Sequence, residues 1–97
     1  MKAFKHLIKY ALKAGHTISV YDGEEWQVKR STGYKAIVEA VESVEEAALR
    51  IRDSQGSIVV SSVTVSAFGL EDDETVVDYV ITPFMDAWEE AYNLTMA

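Results

Sequence analysis

The chain has 97 residues, 48 % of them hydrophobic and 26 % charged, with a formal net charge of −7 and no cysteine. Such a chain is long enough for one ordered domain with a modest core, and its composition excludes intrinsic disorder, a disulfide framework, thiolate chemistry and cysteine-ligated metals. No apolar run approaches the roughly 18 residues of a membrane span.

The charge is unevenly placed. Residues 1–35 hold seven basic and three acidic residues, whereas residues 36–97 hold two basic and thirteen acidic ones. The acidic total disfavours nucleic acid as a partner, while the basic first third leaves room for a local exception. The opening MKAFKHLIKYALKAG is basic, but Lys5, His6, Lys9 and Lys13 interrupt any continuous apolar stretch, so it does not read as a secretory signal. A cytoplasmic protein is the default expectation.

In chain order, Phe4, Leu7, Ile8, Ala11 and Leu12 recur at helical spacing, with Lys2, Lys5, Lys9 and Lys13 on the other side. Gly15 is placed to end this first helix. Ile18 and Val20 then alternate with Thr17, Ser19 and Tyr21, and Trp26 and Val28 resume an alternation beyond Asp22-Gly23, so two strands form a hairpin. An Asp-Gly pair favours a two-residue turn, which would put Val20 and Trp26 on opposite faces. Pairing Val20 with Trp26 and Ile18 with Val28 requires a three-residue loop, Asp22 to Glu24, and the apolar burial gained favours that register. Trp26 is thereby expected in the core.

Ser31 or Thr32 can cap a second helix with Tyr34, Ile37, Val38 and Val41 as its apolar stripe. Leu49 and Ile51 alternate with Arg50 and Arg52 in a third strand, Asp53 to Gly56 turns, and Ile58 and Val60 open a fourth. Beyond Val60 the parity slips to Val63 and Val65, which suggests a bulge at Ser61-Ser62 or a strand buried on both faces. Phe68-Gly69 ends the strand, and Leu70 to Glu74 reads as an acidic loop. Residues 75–81 suit a strand or a short helix. Thr82-Pro83 opens a last helix with Pro83 at its first position and Asp86 near its positive end, anchored by Phe84, Trp88 and Tyr92 and fraying after Leu94.

The chain carries an internal match. Phe4, Leu7, Ile8 and Ala11 align with Tyr34, Ile37, Val38 and Val41 at a spacing of 30; Ile18, Val20 and Asp22 with Leu49, Ile51 and Asp53 at 31; Trp26 and Val28 with Ile58 and Val60 at 32. Each unit reads helix, strand, turn, strand. One hairpin is marginal alone, but two share a sheet that both helices can cover. The expected fold is α+β: a single domain over residues 1–97, with a four-stranded, mostly antiparallel sheet from two helix–hairpin units (αββαββ, about 2–31 and 32–62) and a C-terminal extension, 69–97, ending in a helix.

Motifs for chemistry are sparse. His6 and His16 have no third ligand at metal-site spacing, the acidic run from Glu71 to Glu74 lacks the spaced ligands and glycine of a calcium loop, and neither a nucleophile elbow nor a phosphate-binding loop is present. No cofactor, catalytic residue or metal ligand is expected. With the helices over Ile18, Val20, Trp26, Val28, Leu49 and Ile51, the other sheet face would show Ser19, Tyr21, Gln27, Lys29, Arg50 and Arg52, unless the last segment covers it with Phe84 and Trp88. Tyr21, Lys29, Arg50 and Arg52 are the candidate interaction surface. These features point to a non-enzymatic accessory or adaptor domain acting by protein contact or as a homodimer. The alternative is a single-stranded nucleic-acid-binding domain that uses the basic face, which the net charge and the single aromatic there disfavour.

Overall fold

The computed structural model describes residues 3–65, 76–77 and 82–96. Its elements are α1 (Ala3–Lys13), β1 (Thr17–Tyr21), β2 (Trp26–Ser31), α2 (Tyr34–Glu42), β3 (Glu46–Arg52), β4 (Ile58–Val65), β5 (Val76–Val77) and α3 (Pro83–Met96). The fold is α+β, with the expected αββαββ order followed by a short strand and a helix. The sheet is antiparallel throughout, in the order β2-β1-β3-β4-β5. The first strands of the two units, β1 and β3, thus meet at its centre, and β5 extends the expected four strands to five.

The helices cover one face. α1 ends as expected: Gly15, at φ 85°, donates to the Leu12 carbonyl, while His16 N–H reaches back to Ala11. These two bonds satisfy carbonyls that the helix end leaves open, and only glycine takes that backbone angle without strain. α2 starts at Gly33 with no side-chain cap; the Ser31 hydroxyl instead accepts from Gly33 N–H, so neither Ser31 nor Thr32 caps the helix as expected. Between helices and sheet, Phe4, Leu7, Ile8, Ile37 and Val41 are buried with Ile18, Val20, Leu49, Ile51 and Val60. Each such side chain contributes roughly 1.5–3 kcal/mol by leaving water.

Both hairpins carry the same irregularity, and it overturns several expectations. In the first, Tyr21 pairs with Trp26 but Val20 pairs with Val28, so Gln27 is an extra residue. In the second, Arg52 pairs with Ile58 but Ile51 pairs with Val60, so Val59 is the extra residue. The bulge turns Trp26 and Ile58 away from the core while Val28 and Val60 keep facing it; Ile58 is 48 % exposed. The expected three-residue loop is in fact four residues, Asp22 to Glu25. The expected pairing of Val20 with Trp26 is replaced by Val20 with Val28. The slip in β4 also lies at Val59, not at Ser61-Ser62: Val60, Ser62 and Thr64 all face the helices.

The aspartates matched in sequence do matching work. The Asp22 carboxylate accepts the N–H groups of Glu24 and Glu25, each at 2.8 Å, and the Gln27 amide. Asp53 accepts those of Gln55 and Ser57, at 2.9 and 3.0 Å. Each thereby fastens its loop from the first position. The Glu25 N–H, then the Glu24 N–H and the Gln27 side chain, hold the Asp22 carboxyl below its ordinary value of 3.8. Its contribution to stability is therefore present above that value and lost as pH falls through the lowered one.

α3 packs against α1 and β4, on the helical side. The Thr82 hydroxyl accepts Met85 N–H and donates to the Val59 carbonyl, fixing the helix start to β4. Phe84 sets its ring against Tyr10 (5.4 Å) and His16 (5.1 Å), and Trp88 and Tyr92 stack at 5.5 Å beside His6. Helical backbone continues past Leu94 to Met96, further than the expected fraying point. Phe68-Gly69, the acidic loop from Leu70 to Glu74, Thr75 and residues 78–81 lie outside the described residues; within the ambiguous 75–81 stretch, Val76 and Val77 are strand.

Among the described residues, one buried hydroxyl within β4 lacks a partner. Ser62 is buried opposite Leu49, and its hydroxyl makes no hydrogen bond. Burying an unpaired hydroxyl costs more than the packing of one oxygen returns. Ser62→Ala is expected to raise stability by about 1 kcal/mol in urea unfolding. A loss of that size would show that the hydroxyl is bonded in solution.

Candidate functional site

With α3 on the helical side, Phe84 and Trp88 do not cover the second face of the sheet. That face over β2-β1-β3 is the candidate site. Trp26, expected in the core, lies there instead, with its ring 5.2 Å from that of Tyr21. The Arg50 guanidinium sits over the Trp26 ring at 5.1 Å, a cation–π contact. Around this pair Ser19, Lys29, Arg30 and Arg52 complete a cleft of about 450 Å3. The candidate residues Lys29, Arg50 and Arg52 are thus brought together. Tyr21 stands at the edge, against Trp26, and does not line the cleft. Sequence reasoning missed Trp26 and Arg30 as members.

A second bulge places Arg30. Two residues, Lys29 and Arg30, fit opposite Ser19 where a regular ladder would have one. Arg30 takes φ 45°, and its N–H is held by the Ser19 hydroxyl at 2.8 Å. A non-glycine residue in this region carries about 1–2 kcal/mol of backbone strain. β2 is also an outer strand of the sheet, and the two bulges with adjacent cations blunt it against edge-to-edge pairing. Arg30→Gly keeps the backbone angle and removes the strain. It is expected to raise stability by about 0.5–1 kcal/mol, the relief being partly offset by the greater freedom of glycine in the unfolded chain. Arg30→Ala should give no such gain. Thermal unfolding of the two variants measures the difference.

The electrostatics separate this face from the rest of the molecule. Two of the three lysines of α1 are engaged internally: Lys5 pairs with Glu42 at 3.7 Å, and Lys9 lies over the Tyr34 ring at 5.2 Å. Among the described residues no carboxylate comes within ion-pairing distance of Lys29, Arg30, Arg50 or Arg52. Arg52 donates through one terminal nitrogen to the Gly56 carbonyl at 3.1 Å, and its buried Nε has no hydrogen-bond partner. Four of the nine basic residues of an acidic chain therefore share one cleft, with no counter-charge to them among the described residues.

Chemically, this cleft can hold an anion and stack a planar group. No histidine or carboxylate lines it, and Ser19 is occupied as an acceptor for Arg30, so it contains no base–nucleophile pair. Elsewhere, His6 accepts from the Trp88 indole N–H at 3.1 Å and His16 rests against Phe84. Among the described residues no three His, Asp or Glu side chains gather to hold a metal ion, and no described helix is long and apolar enough to cross a membrane. No family model matches the chain, and no curated protein or solved structure matches it either.

Proposed function

We propose that this chain is a small non-enzymatic binding module that holds an anionic partner against the face of β2-β1-β3 opposite the described helices. The observation that carries the reading is the cluster of Lys29, Arg30, Arg50 and Arg52 around Trp26 with no described carboxylate paired to any of them. Cations gathered without counter-charge repel one another and gain most from an incoming anion. Arg30 adds weight: an arginine held at φ 45°, where glycine would be easier, is a local cost of the kind tolerated where a side chain has work to do. The accessory or adaptor role expected from size and composition becomes specific in this form, because it names the surface and the sign of the partner.

The two tryptophans supply the assay. Trp26 is half-exposed in the cleft and Trp88 is buried, so indole emission that responds to an anion in solution reports Trp26. Titration with a heparin hexasaccharide at low salt is expected to give a saturable change that Lys29→Gln/Arg50→Gln abolishes without lowering the melting temperature. No change, or an unaltered titration of the double variant, would remove the proposal.

A further inference from the structure

We infer that the anionic partner is single-stranded nucleic acid, with a base stacking at the Trp26–Arg50 pair and the flanking phosphates held by Lys29, Arg30 and Arg52. The inference rests on the reading of this face as an anion-binding surface and names the partner it takes.

Three observations carry it further than charge alone. First, the cleft joins cations to aromatic surface. A carboxylate-rich peptide would use the cations but gain little from Trp26 and Tyr21, whereas an unstacked base uses the ring and the guanidinium plane together. The correction to Trp26 therefore matters, because it puts two aromatic side chains beside the cations where the sequence had secured one. Second, the cations span neighbouring strands. Lys29 and Arg30 stand on β2, while Arg50 and Arg52 stand on β3, with β1 between them. A chain crossing the strands meets cations on both sides of β1, next to the Trp26–Arg50 pair, where phosphates flanking a stacked base can be held. Third, the surface is a shallow cleft on a sheet face, and the described helices lie on the opposite face. Among the described residues no element on this face is shaped to enter a duplex groove, whereas an antiparallel sheet face with aromatic and basic residues suits a flexible strand.

The rest of the molecule limits the footprint. The net charge of −7 repels a polyanion beyond the four-cation face, so the contact is confined to a few nucleotides and depends steeply on salt.

The test uses fluorescence anisotropy at low salt with four labelled probes: octathymidylate, octauridylate, a DNA duplex of equal length and octaglutamate. Either single strand is expected to bind at least about fivefold more tightly than the duplex and the peptide. Trp26→Leu should weaken strand binding about 10-fold or more, within the range that one base–aromatic stack supports. Arg30→Gly, expected to remain folded and more stable, should weaken it several-fold. Lys35→Gln, which removes one charge on the helical layer, should leave it unchanged. A preference for octaglutamate, equal affinity for duplex, or full affinity in Trp26→Leu would overturn the nucleic-acid assignment. With the peptide bound and lost in Arg30→Gly, the anion-binding reading would stand without it. Absence of binding by all four probes, together with a silent hexasaccharide titration, would overturn both.

Discussion

Replacing Trp88 by alanine is expected to cost about 3–5 kcal/mol, a large part of the stability of a domain this size. Trp88 is 4 % exposed and is the centre of the contact between α3 and α1. Its ring stacks on Tyr92, and its indole N–H donates to His6 Nδ1. Alanine removes the largest apolar surface on α3 and the hydrogen bond together. Urea unfolding should show the lower midpoint, and protease cleavage should concentrate in α3.

A pH dependence accompanies this contact. Burial, chiefly, holds His6 below its ordinary value of 6.5. Nδ1 also accepts from Trp88, and a protonated ring has no acceptor to offer. The unfolded chain thus takes up the proton first as pH falls. The contribution of His6 is complete above 6.5 and lost below it, as pH drops through the lowered native value. In Trp88→Ala the ring is more exposed, so its titration should move back towards 6.5 and the acid slope of stability should flatten. NMR titration of the two histidines follows this directly, and an unmoved His6 would contradict the docking described for α3.

The second large effect is on salt. Binding of a single strand weakens with a slope of about −0.7 per neutralised phosphate on logarithmic axes. The three cations that hold phosphates, Lys29, Arg30 and Arg52, set a slope near −2.1, so raising salt from about 50 to 200 mM should weaken binding about 20-fold. Arg30→Gly should reduce that factor to about 7-fold. A steeper dependence than four cations allow would mean that Lys5, Lys9 or Lys13 of α1 takes part, which conflicts with the engagement of Lys5 by Glu42 and of Lys9 by Tyr34.

Most of the architecture was legible in the sequence because it rests on periodicity. The stripe from Phe4 to Ala11, the cap at Gly15, the alternations around Ile18 and Leu49, and Pro83 at a helix start are local signals that the packing keeps. Asp22 and Asp53, which the internal match aligned, both fasten their loops. What the match could not convey was the direction of Trp26. Residues two apart in a strand look alternating whether or not the residue between them is a bulge, so Trp26 and Val28 read as one face although they lie on two. Hydrophobicity then assigned Trp26 to the core. Ile58, one repeat later, is turned outward by the same kind of bulge.

The candidate site was half legible. Lys29, Arg50 and Arg52 follow from strand parity, since Arg50 and Arg52 alternate with buried Leu49 and Ile51. Arg30 does not, because its position depends on a second bulge and a positive φ that no residue type announces; glycine would have announced it. The bulges therefore turn a face with one aromatic and a row of charges into a cleft that holds Trp26 and four cations, with Tyr21 against its edge.

The most direct test of the sheet face opposite the described helices as the binding surface is a nitrogen-edited NMR titration of the whole chain with the tighter-binding of octathymidylate and octaglutamate. The Trp26 indole signal and the amides of Lys29, Arg30, Arg50 and Arg52 are expected to shift together, while the Trp88 indole stays in place. Shifts centred on α1 or α3 with the Trp26 indole unmoved would contradict it.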